Sequence, residues 1–225
     1  LEKIMKMDEL NIVLTGANGA LASYLLEYFA ACSAFVVGTV RQLAEPAKPI
    51  NNVAIIEMDP LDHYSIDEAI LWINSEAGDI HVWINIIGGF TMGNHVEEGH
   101  DDWAYMYNTN FITTLNCCQK ILPHMKKNGW GRIINMGSRR AINGMPLAGA
   151  YCASKVAVHS LTQTIALENC NGVTCNALVP GIIDTPANRN NMPEAAHHSW
   201  ATLEGLAQNI VKILQSNTNG LLLEI

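Results

Sequence analysis

Short apolar runs alternating with helix-spaced segments constrain this chain more than any other feature. The runs are 10–15 (LNIVLT), 34–40 (AFVVGTV), 52–58 (NVAIIEM), 81–87 (HVWINII), 131–137 (GRIINMG), 172–179 (GVTCNALV) and 220–225 (GLLLEI). They are rich in β-branched residues and apolar without alternation, the pattern of strands covered on both faces, as in a parallel sheet. Helical spacing fills 19–31, 64–77, 101–127, 151–169 and 199–215. Strand–helix alternation predicts an α/β fold, doubly wound, with a seven-stranded parallel sheet and right-handed crossovers. No solenoid repeat or low-complexity linker interrupts it, so residues 1–225 read as a single domain.

Composition narrows the partners. The chain of 225 residues carries a formal net charge of −8. That balance argues against nucleic acid or an anionic membrane as the main partner, since both need a concentrated basic face. No apolar run approaches the roughly 20 residues that span a bilayer. The first ten residues lack the apolar stretch of a signal peptide, so a cytoplasmic location is expected. Six scattered cysteines without C-x-x-C spacing read as reduced core thiols.

The first strand runs directly into TGANGALA (15–22) and then a helical pattern. Glycines here let the chain turn tightly and bring backbone N–H groups to a pyrophosphate at the helix N-terminus. Gly16 and Gly19 are present, with Ala20 and Ala22 where further glycines would be expected. This turn resembles the T-G-x-x-x-G-x-G turn of the short-chain dehydrogenase/reductase family. It is closer still to the G-x-x-G-A-L-G form of that family's dihydropteridine reductase branch. The resemblance implies a Rossmann-type dinucleotide fold, with Gly16, Asn18, Gly19, Ala20 and Leu21 around the cofactor.

Further positions match the family. Arg41 ends the second strand where an NAD-binding fold usually has a carboxylate; arginine suits a 2′-phosphate, or is an ordinary surface residue. On that basis NADP(H) is expected over NAD(H), with Glu45 a competing carboxylate a few residues on. Asp59 resembles the aspartate beside the adenine, or is a plain turn aspartate before Pro60. Asn85 and Gly88, in NIIGG, match a degenerate N-N-A-G. Pro180, Gly181, Ile183 and Thr185, in NALVPGIIDT, resemble the segment that closes over the nicotinamide.

The chemistry rests on GRIINMGS…GAYCASKVAV. Tyr151 and Lys155 share a helix face, and Ser138 lies thirteen residues before Tyr151, just past the fifth strand. A phenol titrates near 10, and a nearby ammonium favours its ionised form, which makes tyrosine a usable general acid/base. The segment resembles the family's Ser…Tyr-x-x-x-Lys core, and YNTNFITTLNCCQKILPHM resembles its asparagine helix, matching at Asn110. The resemblance implies hydride transfer between a nicotinamide and a carbonyl or secondary alcohol. Tyr151 would then exchange the proton and Ser138 hold the oxygen. Lys155 would lower the Tyr151 pKa and bind ribose, and Asn110 would hold a relay water.

Other features read as structural. His197–His198 is a surface pair without ligand spacing, and Cys117–Cys118 is core filler. Phe90, His95 and Trp103 lie where the family contacts substrate, or are packing. Residues 184–208 resemble the tail of dihydropteridine reductases, a region that forms the substrate lid in the family. A pteridine reductase and a non-catalytic dinucleotide sensor are the competing readings. The resemblance further implies a homodimer or homotetramer through helices 101–127 and 151–169. Leu115, Cys118, Leu122, Val158, Leu161 and Ile165 are the candidate contacts.

Overall fold

The computed structural model describes residues 5–43, 51–94, 96–97, 99–169 and 171–225. Its strands are β1 (Asn11–Thr15), β2 (Phe35–Val40), β3 (Val53–Glu57), β4 (Val82–Asn85), β5 (Gly131–Met136), β6 (Val173–Val179) and β7 (Leu222–Glu224). They form a single parallel sheet in the order β3-β2-β1-β4-β5-β6-β7. This is the Rossmann-like sheet that the strand pattern predicts. The order reverses between β1 and β4, and a doubly wound sheet takes its ligand outside the carboxyl ends of the strands at that point.

The helices are α1 (Ala20–Ala31), α2 (His63–Ala77), α3 (His100–Tyr107), α4 (Thr113–Asn128), α5 (Arg139–Asn143), α6 (Gly149–Glu168), α7 (Pro186–Asn191) and α8 (Leu203–Leu214). Alternation along β1 divides the core between two faces. Ile12 and Leu14 pack with Leu25 and Phe29 of α1 and with Leu206 and Ile210 of α8. Val13 points the other way, among Ile66 and Ile70 of α2, Ile121 of α4 and Ile165 of α6. Helix α8 shows why its segment folds so. Thr202 accepts the Gly205 N–H at its N-terminus, and Leu206, Ala207, Ile210, Ile213 and Leu214 form one buried face.

Most boundaries shift by a few residues, and two differences matter for the site. The predicted helix 101–127 is really α3 and α4 joined by a π-helical turn, Asn108–Ile112. One extra residue per turn rotates the following face and leaves Asn110 wholly buried. The apolar run 81–87 stops being strand at Asn85, because the N–H groups of Ile86 and Ile87 turn to donate to Thr15 Oγ1 at 2.9 and 3.3 Å.

Candidate active site

The loops at the carboxyl ends of β1, β4, β5 and β6 surround a cavity of about 540 Å³. Gly19, Ala20 and Leu21 line one end, and Gly88, Ser138, Tyr151 and Lys155 line the middle. Pro180, Gly181, Ile183 and Thr185 close the far side. Twelve of the residues singled out in the sequence, Phe90 among them, thus meet around one space.

The turn after β1 is built for close approach. Gly16 has φ +76°, and a Cβ there would lie 2.8 Å from Cγ1 of Ile87. Only glycine meets both conditions at once. Gly38 of β2 lies beneath the turn, where a Cβ would lie 2.7 Å from that of Ala17. Ala22 is wholly buried in the α1 contact, so alanine at this position fits the helix–strand spacing.

Helix α6 carries Tyr151 and Lys155 one turn apart. The Lys155 ammonium is buried and donates to the Met136 carbonyl at 2.8 Å. Burial lowers its pKa from 10.5 to about 8. A Cβ on Gly88 would come within 3.3 Å of Lys155 Nζ, so the glycine keeps that edge of the cavity open. The Tyr151 ring meets Phe90 edge-on at 4.9 Å between centroids. Burial raises the phenol pKa, and the Ser138 hydroxyl beside it pulls part of the way back. The depression by Lys155 expected from the sequence is therefore corrected. The ammonium is drawn to the Met136 carbonyl, and desolvation dominates at Tyr151.

Ser138 caps α5, its Oγ accepting the Arg140 N–H at 3.3 Å. Its own N–H donates to Nε2 of His159 at 3.2 Å. His159 was missed in the sequence. It stands four residues beyond Lys155 on the same helix face, and that spacing was its only signal.

Other expected residues lie elsewhere. Asn110 Oδ1 accepts the Gly89 N–H at 2.8 Å, and Nδ2 donates to Gly89 O at 3.2 Å and Ser154 Oγ at 2.9 Å. Its side-chain amide is thus taken up in holding the β4 loop against α6. The Asn85 amide donates to Asn135 Oδ1 and accepts from the Trp83 indole, both at 2.9 Å. It faces the core, and the cavity lining begins one residue on, at Ile86. Asp59 Oδ1 accepts the Leu61 N–H at 3.0 Å, the plain turn reading. Asn18 and Arg41 are exposed near the strand ends, away from the cavity lining.

Phe90 lines the cavity, whereas Trp103 packs near Gly149 at the start of α6. His95, Glu45 and Cys170 lie outside the described residues. The His197 ring packs at 4.4 Å on Trp200, and its Nε2 lies 2.9 Å from the Met192 carbonyl oxygen, contacts internal to residues 184–208. Among the described residues no helix is long and apolar enough to cross a membrane.

A family model for the short-chain dehydrogenases matches residues 10–196. The chain belongs to that family. A 3-ketodihydrosphingosine reductase of Bacteroides thetaiotaomicron is 33% identical over 158 residues, 70% of this chain and 57% of the relative. The match thus spans little more than half of that relative's length. A meso-2,3-butanediol dehydrogenase of Serratia marcescens is 29% identical over 192 residues, 80% of this chain and 74% of the relative. Among solved structures, ElxO with NADP bound superposes with a TM-score of 0.88 at 25% identity, covering 98% of this chain and 97% of that one.

Proposed function

We propose that the protein is an NAD(P)(H)-dependent oxidoreductase that interconverts a small carbonyl compound and its alcohol. The observation that carries this reading is the meeting of Tyr151, Ser138 and Lys155 at one cavity, beside the glycine turn that opens α1. The residues fit a dinucleotide. Gly16 and Gly88 occupy places where a Cβ would collide or crowd, and the buried Lys155 ammonium lines the same cavity as Gly88. NADP bound to ElxO supports the same reading.

Bound nicotinamide supplies the hydride. Tyr151 would donate its phenol proton to the carbonyl oxygen in the reducing direction. Ser138 Oγ is a hydrogen-bond donor for the same oxygen as charge develops on it. Lys155, its ammonium at the cavity, would hold ribose hydroxyls. Gly19, Ala20 and Leu21 would seat the pyrophosphate, and Arg41 would meet a 2′-phosphate. Thr185 and the segment after it form the lid, tied down by Asp184 N–H to Ala201 O at 2.8 Å.

The expected oligomer is a further part of the proposal, with one change. Cys118, Val158 and Ile165 are consumed by the protomer's own core. A pairing through α4 and α6 would instead use the outward Leu122, Leu161, Val156 and Leu167.

The test is oxidation of NADPH or NADH against a panel of ketones, with Tyr151→Phe beside the wild type. Loss of a proton donor should lower kcat by roughly 10²-fold or more while cofactor affinity holds. A rate within a few-fold of wild type sinks the mechanism.

A further inference from the structure

A second cavity, of about 320 Å³, opens beside the first. Arg140, Gly181 and Ile182 belong to both, and Arg139, Asn143, Ser199 and Trp200 complete its walls. Two successive arginines therefore line a concave annex that begins within two residues of Ser138.

Their backbones are pinned. The Arg139 N–H donates to the Pro180 carbonyl at 2.9 Å. The Arg140 N–H donates to Ser138 Oγ, and its carbonyl accepts from Cys152 Sγ at 3.5 Å. The Arg139 guanidinium lies over Gly181, where a Cβ would come 2.4 Å from Nη2. The ion pairs among the described residues are Lys120–Asp67 and Arg189–Asp184, and neither Arg139 nor Arg140 takes part. A chain with 21 acidic against 13 basic residues has carboxylates to spare. Both arginines are exposed and line this one hollow with no carboxylate among the described residues paired to either, which leaves two guanidiniums open to charge-assisted hydrogen bonds with an external oxyanion.

We propose that the substrate carries a carboxylate or phosphate that seats between Arg139 and Arg140, a few bonds from the carbonyl held at Ser138 and Tyr151. This rests on the oxidoreductase reading and adds the substrate class to it. Ser199 and Trp200 wall the anionic end on the side of residues 184–208.

Matched ketones test it: acetoacetate against methyl acetoacetate, and dihydroxyacetone phosphate against dihydroxyacetone. Wild-type enzyme should favour one charged member by roughly tenfold or more in kcat/KM, and the preferred pair tells carboxylate from phosphate. The preference should fall as salt rises. Arg139→Gln should raise KM for the charged ketone far more than for its neutral partner, with partial recovery in Arg139→Lys. Equal or better use of the neutral members, or an unchanged ratio in Arg139→Gln, overturns the proposal. Calorimetric titration with malonate and with inorganic phosphate needs no turnover, so it separates this proposal from the oxidoreductase reading. Binding of either anion to wild type that is lost in Arg139→Gln supports the site, and no binding of either overturns it.

Discussion

The Ser138 N–H points at Nε2 of His159, 3.2 Å away. This contact fixes the imidazole as an acceptor at that nitrogen, with its proton on Nδ1. Gly137 makes room for it, since a Cβ there would fall 2.3 Å from the same nitrogen. Burial lowers the His159 pKa below 6.5, and the Lys155 charge one turn back adds to the effect.

His159 is thus a positioning residue for Ser138, and acid should undo it. As pH falls from 6.5 toward the folded-state value, the unfolded chain takes up the proton first, so stability declines through that window and is full above it. Protonated His159 also cannot accept from Ser138. The acidic limb of the kcat/KM profile should therefore be lost in His159→Leu, together with roughly tenfold of kcat, with part of kcat restored in His159→Gln through its amide oxygen. Profiles that superpose in wild type and His159→Leu would remove the role.

Lys155 offers a test of site against stability. A buried ammonium whose pKa has fallen from 10.5 to about 8 costs the fold on the order of 3 kcal/mol at neutral pH. Lys155→Met should abolish turnover yet raise the urea midpoint at pH 7. Between pH 8 and 10.5 the wild type gains stability, because the unfolded state still holds the proton that the folded state has released. The variant's advantage should shrink across that range. A midpoint below wild type at neutral pH would show that the Met136 hydrogen bond outweighs the desolvation.

Cofactor choice turns on Arg41. The structure leaves it at the exposed end of β2, next to Val40, whose register partner is Glu57. The Glu57 carboxylate accepts the Leu43 N–H at 3.2 Å, so a nearby acid is already occupied by backbone. Arg41→Ala should reduce the ratio of NADPH to NADH affinity by roughly 5- to 150-fold. Dissociation constants for both cofactors and both proteins decide it, and an unchanged ratio makes Arg41 a bystander.

The Gly16 turn should tolerate nothing larger. Gly16→Ala combines a left-handed φ with the Ile87 clash, so it should cost about 1–3 kcal/mol and weaken cofactor binding more than any change at exposed Asn18. Denaturant midpoints and cofactor titrations of the two variants measure both effects.

Strand–helix alternation, the glycine turn and the Ser–Tyr–Lys spacing were all legible along the chain. Each depends on local periodicity, or on residues whose role follows from what stands a turn or a strand away. Tyr151 and Lys155 share a helix face by spacing alone. The sheet's reversal beside β1 was not legible in this way, because crossover handedness sets the face each helix covers and leaves the strand order open.

What the tertiary structure decided lies in contacts between segments distant in sequence. The π turn that buries Asn110, its hold on Gly89, and the hydrogen bond from Ser138 to His159 have no local pattern to announce them. The Tyr151 pKa lies above its ordinary value because desolvation, which depends on everything packed around the ring, outweighs the Ser138 hydrogen bond. Arg139 and Arg140 look like any solvated basic pair in the sequence. Only the fold sets them against Gly181, Ser199 and Trp200 and gives their charge a hollow to face. Chain order supplies the groups, but three-dimensional packing sets which of them lose water, and that loss governs both their pKa values and their use.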